Sequence, residues 1–219
     1  MSNFFSNLLG GNKKSQSVLG IDIGSSSIKI VQLSRKNGHA VLETYGELSL
    51  GQYAGKEVGV ATSLSIEKII EAVNDMLKEK EVNVTTRLCG VAIPFASSLI
   101  SVIEMPLMKK AQLDQMIPIE ARKYIPVPIS EVTLDWYIIP KDKNPEDSNQ
   151  ASANMATPLK VPKIEVLIVA LHNDTIIRYK EIVAKTSLDA SFFEIEIFST
   201  MRSILDQELN PVLIIDMGA

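Results

Sequence analysis

Cysteine is nearly missing. Cys89 stands alone among 219 residues, so no internal disulfide frames the fold, and a single thiol fits a reducing compartment. Histidine is scarce too. His39 and His172 are not spaced as a metal pair, and no Cys/His cluster joins them. Positive charge is in no excess. Lys and Arg total 22 against 26 Asp and Glu, a net charge of -4, whereas a dedicated nucleic-acid binder needs a basic surface to displace counterions. No apolar run is long enough to span a bilayer. The first residues have neither the leading positive region nor the apolar core of a secretory signal. What is present is a 46% apolar chain, which excludes intrinsic disorder. At this length it makes one domain or two small ones, with a core that needs no staple.

Residues 1–16 read as a flexible tail, polar but for Phe4, Phe5, Leu8 and Leu9. The alternative is a weak interfacial helix with Lys13 and Lys14 toward lipid headgroups. Val18 to Leu33 predicts two strands about a Gly24-Ser25-Ser26-Ser27 turn, and Asn37-Gly38 predicts a hairpin into a third strand, Ala40 to Leu48. Ile66, Ile69, Ile70, Val73 and Leu77 have helical spacing over 63–80, with Ser63 or Ser65 as cap. A short buried strand, Leu88 to Ile93, stops at Pro94. The rhythm then changes. Leu99 to Met105 reads as a strand. Lys109 to Tyr124 reads as a helix facing inward through Leu113, Met116, Ile117, Ala121 and Tyr124, with a kink or early break expected at Pro118. Glu131 to Ile139 alternates, with Val132, Leu134, Trp136 and Ile138 on one face. Residues 140–162 read as a long mobile loop, and Ile164 to Leu171 as the partner strand. From there the first rhythm resumes. Asn173-Asp174 caps a helix through Ile176, Tyr179 and Val183. Ser191 to Ile195 is a strand. Ile197 to Gln207 is a helix with Phe198, Met201 and Leu205 inward, and Val212 to Ile215 is a last strand.

The chemistry lies in an echo. Gly20-Ile-Asp22-Ile-Gly24 near the start returns as Ile-Ile-Asp216-Met-Gly218 at the end. Each copy is an apolar strand tipped by Asp-x-Gly. The first continues into Ser25, Ser26, Ser27 and Lys29. A turn of this type exposes backbone N–H groups in a concave nest that suits phosphate. Gly24 permits close approach, Ser25 and Ser26 offer hydroxyls, and Lys29 offers a point charge. Asp22 and Asp216 are anions and cannot bind phosphate directly. Their natural role is to hold Mg²⁺, through its water shell. An ordinary hairpin with a solvated Lys29 is the plainer reading of the first copy alone. Elsewhere the readings are bland. Cys89 is core, Trp136 anchors a core, and Asp135 and Glu131 lie on a solvated face. Lys13-Lys14-Ser15 lacks the Gly of a P-loop, since Asn12 precedes it.

Gly20-Ile-Asp-Ile-Gly-Ser-Ser-Ser-Ile-Lys-Ile-Val-Gln-Leu33 resembles the first phosphate motif of the actin, sugar kinase and Hsp70 superfamily. Ile214-Ile-Asp-Met-Gly-Ala219 resembles the start of the second. The stretches Glu104–Met108, Glu120–Pro128 and Glu131–Trp136 are similar to the PilM family of type IV pilus assembly, in the FtsA-like branch. The implied fold is α/β: an actin-like (ribonuclease H-like) lobe with a mixed sheet, plus an inserted strand–helix–strand–strand (SHS2-like) module. The second lobe is expected to be missing. The implied division is 17–96 with 172–210 as the first lobe, 97–171 as the module and 211–219 as the start of a truncated second lobe.

The resemblance further implies a cytoplasmic protein at the inner face of the bacterial membrane, reaching it indirectly. It implies ATP and Mg²⁺ as ligands. The expected partners are the cytoplasmic N-terminal tail of a PilN-like membrane protein, seated in a groove between module and lobe, and other pilus assembly proteins. At most a weak ATPase is expected. Glu196, at a strand-to-helix junction, is the candidate for positioning the attacking water, or else an acidic residue favouring a helix N-terminus. Two other functions fit the superfamily: an FtsA-like division protein, which the middle stretch disfavours, and a small-molecule kinase, for which no substrate base or pocket can be traced.

Overall fold

The computed structural model describes residues 17–140, 162–205 and 211–216. The tail 1–16, the loop expected over 140–162 apart from its two end residues, and Gly218 lie outside them. The chain forms two compact units, Ser98–Asn173 and the remainder.

The larger unit, the lobe, is built on a mixed sheet. Strands β1 (Val18–Ile23), β2 (Ser27–Lys36) and β3 (His39–Ser49) run antiparallel. The β2–β3 turn is Asn37-Gly38, with φ 50 and 87, the pair of left-handed positions that a tight hairpin demands. Strands β4 (Leu88–Ile93) and β8 (Asp189–Ile195) extend the sheet in parallel with β1, giving the order β3-β2-β1-β4-β8. Alternation sorts each strand's side chains. In β2, Ile28, Ile30 and Gln32 are buried while Lys29 and Val31 are exposed, as the two-residue period requires.

Helix α1 (Ile66–Lys78) packs on β3. It starts where Ser65 accepts the Lys68 N–H, at 3.4 Å, and buries Ile69, Ala72, Val73, Met76 and Leu77. Each large apolar side chain so covered contributes about 1.5–3 kcal/mol.

The smaller unit, the module, is a three-stranded antiparallel sheet carrying one helix. Its strands are β5 (Ser98–Pro106), β6 (Val132–Ile139) and β7 (Lys163–His172), in the order β5-β7-β6. Helix α2 (Lys110–Ala121) contributes Leu113, Ile117 and Ala121 to a core with Ile103, Met105, Val166, Ile168 and Ala170. Two expectations need correction here. The helix is not broken at Pro118 but continues to Ala121. Proline costs a helix interior about 3 kcal/mol, and burial of Ile117 on one side and Ala121 on the other outweighs it. The inward face is also narrower than the spacing predicts. Met116 and Tyr124 are exposed, and Ile125 is buried in their place.

Three further corrections concern the return to the lobe. Helix α3 (Asn173–Lys185) begins at Asn173 itself, so Asn173 is its first residue and not the residue before it. The Asn173 amide instead donates to the Ser130 carbonyl at 2.9 Å and accepts from the Thr133 hydroxyl at 2.9 Å. On helix α4 (Glu196–Ile204), Met201 faces solvent. Residues 211–216 form no strand, and Leu213 and Ile215 are 83% and 72% exposed. A strand needs a neighbour to take its N–H and C=O groups, and among the described residues none pairs with this segment.

Candidate functional site

The turn between β1 and β2 is tight. The Gly24 N–H donates to the Ser27 carbonyl at 3.0 Å, so this amide closes the turn and is not part of an anion nest. A Cβ at Gly24 would stand 3.1 Å from that same carbonyl oxygen, which is why a side chain fits poorly there. Ser26 is buried and Ser25 is exposed, leaving Ser25 as the hydroxyl at the surface. Ser27 opens β2, half-buried.

On the ladder, Asp22 is directly opposite Lys29. Opposed residues in an antiparallel pair point to the same face, so a half-buried carboxylate and an exposed ammonium share one side of the sheet beside the turn. Burial raises the Asp22 pKa above its ordinary value. The Glu196 charge adds to this, Lys29 lowers it, and Asp216 raises it again. The four sequence-predicted ionisable residues, two of them more than 160 positions away from Asp22 in the chain, therefore share one electrostatic neighbourhood.

Glu196 is the first residue of α4. Its Oε1 accepts the Phe95 N–H at 2.8 Å, tying the chain after β4 to the start of the helix. Its position also suits the helix dipole. Among the described residues no three His, Cys, Asp or Glu side chains gather as a direct metal cage. Mg²⁺ rarely needs one, since it keeps several waters and takes one or two carboxylates.

Sequence reasoning missed three contributors. Tyr179 on α3 is buried, and its phenol is pushed up by burial and then by the Asp22 charge, with Arg178 opposing and Glu196 adding. Tyr179 reads from sequence as one more core residue, because a phenol on an apolar stripe gives no separate signal. The other two are backbone amides. Leu50 N–H donates to the Ser26 carbonyl at 2.8 Å, and Thr62 N–H to the Ser25 carbonyl at 2.9 Å. Main-chain donors leave no residue-type signature.

The family model of the type IV pilus assembly protein PilM matches residues 20–213. Among solved structures, the chain is similar to one described as a PilM–PilN type IV pilus biogenesis complex. Identity is 18%, the TM-score is 0.64, and the match covers 86% of this chain and 50% of that one. It is also similar to the cytoplasmic domain of EpsL, an inner-membrane component of the type II secretion system of Vibrio cholerae. There identity is 11%, the TM-score is 0.50, and coverage is 84% of this chain and 59% of that one. The chain thus spans about half the length of the first relative. These likenesses give the actin-like α/β fold with its mixed sheet. No helix among the described residues is long and apolar enough to cross a membrane. With the family model matched from within β1 to the segment beyond α4, this chain belongs to the PilM family of type IV pilus assembly proteins.

Proposed function

We propose that this chain acts as a cytoplasmic, nucleotide-binding scaffold of pilus assembly, held at the inner face of the bacterial membrane by its partner. One observation carries the nucleotide half of the reading: Asp22 and Lys29 are opposed on one sheet face beside the Gly24–Ser27 turn. Lys29 would supply a point charge to phosphate oxygens, with the Ser25 hydroxyl beside it. Glu196 and Asp216 add like charge around Asp22 against the one opposing charge of Lys29, so a hydrated Mg²⁺ suits it, with Asp216 and Gly218 contributing from the second motif. When bound, that ion neutralises charge on the ATP phosphates. Glu196 would orient a water through the carboxylate whose Oε1 already accepts Phe95 N–H. Since this carboxylate is also a structural tie, we assign at most slow hydrolysis.

The partner half rests on the family and on the module. Strands β5 and β6 are its two edges. A sheet edge takes an extended peptide through main-chain hydrogen bonds, with side-chain pockets giving specificity. The cytoplasmic N-terminal tail of a PilN-like inner-membrane protein is such a peptide. Affinity purification from cells tests this. Recovery of a PilN-like protein with other pilus components is expected, and recovery of division-ring proteins in its place would sink the assignment.

A further inference from the structure

Residues 50–62 connect the end of β3 to the approach of α1, and both ends of this segment hang on the phosphate turn. Leu50 N–H donates to Ser26 O and Thr62 N–H to Ser25 O. Two consecutive carbonyls of the turn thus hold the two feet of one loop. Between the feet the chain folds on itself. Gly51–Ala54 is a 3-10 turn, Lys56 N–H returns to Gly51 O at 2.8 Å, and Gly59 N–H reaches the Ser49 hydroxyl at 3.3 Å. The closure is tight enough that a Cβ on Gly51 would lie 2.1 Å from the Glu57 carbonyl oxygen. At the outer end Val58 is 80% exposed. This is the form of an Ω-loop, whose ends meet and whose body packs on itself.

The peptide plane connects the loop to the site. In a trans peptide the C=O and the N–H of the next residue point in opposite directions, and no peptide bond among the described residues is cis. The Ser25 carbonyl and the Ser26 N–H are two ends of one such plane, as are the Ser26 carbonyl and the Ser27 N–H. Thr62 and Leu50 therefore fix the planes that carry the Ser26 and Ser27 N–H groups. A hydrogen bond made at one end of a peptide unit polarises the other. An anion drawing on these amides strengthens the carbonyl bonds to the loop, and a loop that lets go frees the planes to turn.

We propose that loop 50–62 is a phosphate-responsive strap: occupation of the Gly24–Ser27 turn tightens its two feet, and its exposed Val58 end carries that state to the outside of the lobe. This inference rests on the nucleotide-binding reading above and deepens it. The test is hydrogen–deuterium exchange on the whole chain with and without ATP and Mg²⁺, alongside calorimetric titration of the same ligand. Because nucleotide favours the state in which both feet are closed, opening of either foot is suppressed by mass action, and the Leu50 and Thr62 amides should exchange about tenfold more slowly at ATP about ten times its dissociation constant. Thr62→Pro removes one foot and should weaken ATP binding by a similar factor, about threefold to tenfold. ATP binding with unchanged exchange at both amides overturns the strap and leaves the site reading intact. Wild-type affinity in a folded Thr62→Pro variant does the same. Absence of any ATP binding overturns both.

Discussion

The lobe and the module share a plan, a sheet with helix packed on it, yet they bury different chemistry. The buried polar residues among those described are Ser26, Gln32, Ser34 and Thr186, and every one belongs to the lobe. The module's core is apolar throughout. Gln32, almost fully buried, donates to Glu43 and to the Thr85 hydroxyl at 2.7 Å each, and accepts the Thr85 N–H at 2.9 Å. Thr186 donates to the Ile182 carbonyl at 2.8 Å. Buried directional bonds thus help specify the lobe, while the buried core of the module is specified by apolar packing. The lobe carries its candidate site residues at strand tips, and the module offers shape and edges.

That contrast breaks most visibly if volume is removed from the module. Ile117 is fully buried beneath the sheet, so Ile117→Ala should cost about 2–5 kcal/mol. The single tryptophan, Trp136, packs against this core, so its fluorescence during urea unfolding reads the loss. A change below about 1 kcal/mol would mean that the module is not held by its core. The lobe should respond more to a lost hydrogen bond than to lost volume. Gln32→Leu keeps much of the bulk but strands the Thr85 N–H, at a cost of about 1–3 kcal/mol. Faster exchange of the Thr85 amide is the expected sign, and unchanged protection would contradict it.

The smallest effect has the opposite sign. Burial, reinforced by Glu196 and Asp216 against Lys29, holds Asp22 above its ordinary 3.8. Above that pH the unfolded chain releases the proton while the folded chain keeps it, so stability falls as pH rises through the folded pKa. Asp22→Asn removes this loss. It should stabilise the ligand-free protein at pH 7, by less than either change above costs because the carboxylate is partly solvated, and by less still near pH 4. Thermal melts at the two pH values check this, and an equal effect at both would contradict it.

Much of the fold was legible because short-range physics decides it. The period of two in β2, the Asn37-Gly38 turn and the Ser65 cap each announce themselves locally. The failures came where a partner elsewhere decides. Val212–Ile215 reads as a strand from its own residues, but a strand exists only with a neighbour. Met201 and Met116 satisfy helical spacing, yet both stay 42% exposed among the described residues. Asn173 has the chemistry of a cap, and its amide is taken by Ser130 and Thr133. At the site, the echo of Asp22 in Asp216 was visible because charged tips on apolar strands stand out. Tyr179 and the amides of Leu50 and Thr62 were invisible, since a buried phenol looks like core and a backbone donor has no letter of its own.

The central claim is that the β1–β2 turn, with Asp22 and Lys29 beside it, receives a triphosphate. Calorimetric titration of ATP with Mg²⁺ into the wild-type chain and its Lys29→Ala variant addresses it directly. The account predicts saturable binding by the wild type and an affinity about tenfold or more lower in the variant, the worth of one charged hydrogen bond. Equal affinity in the two proteins would contradict it.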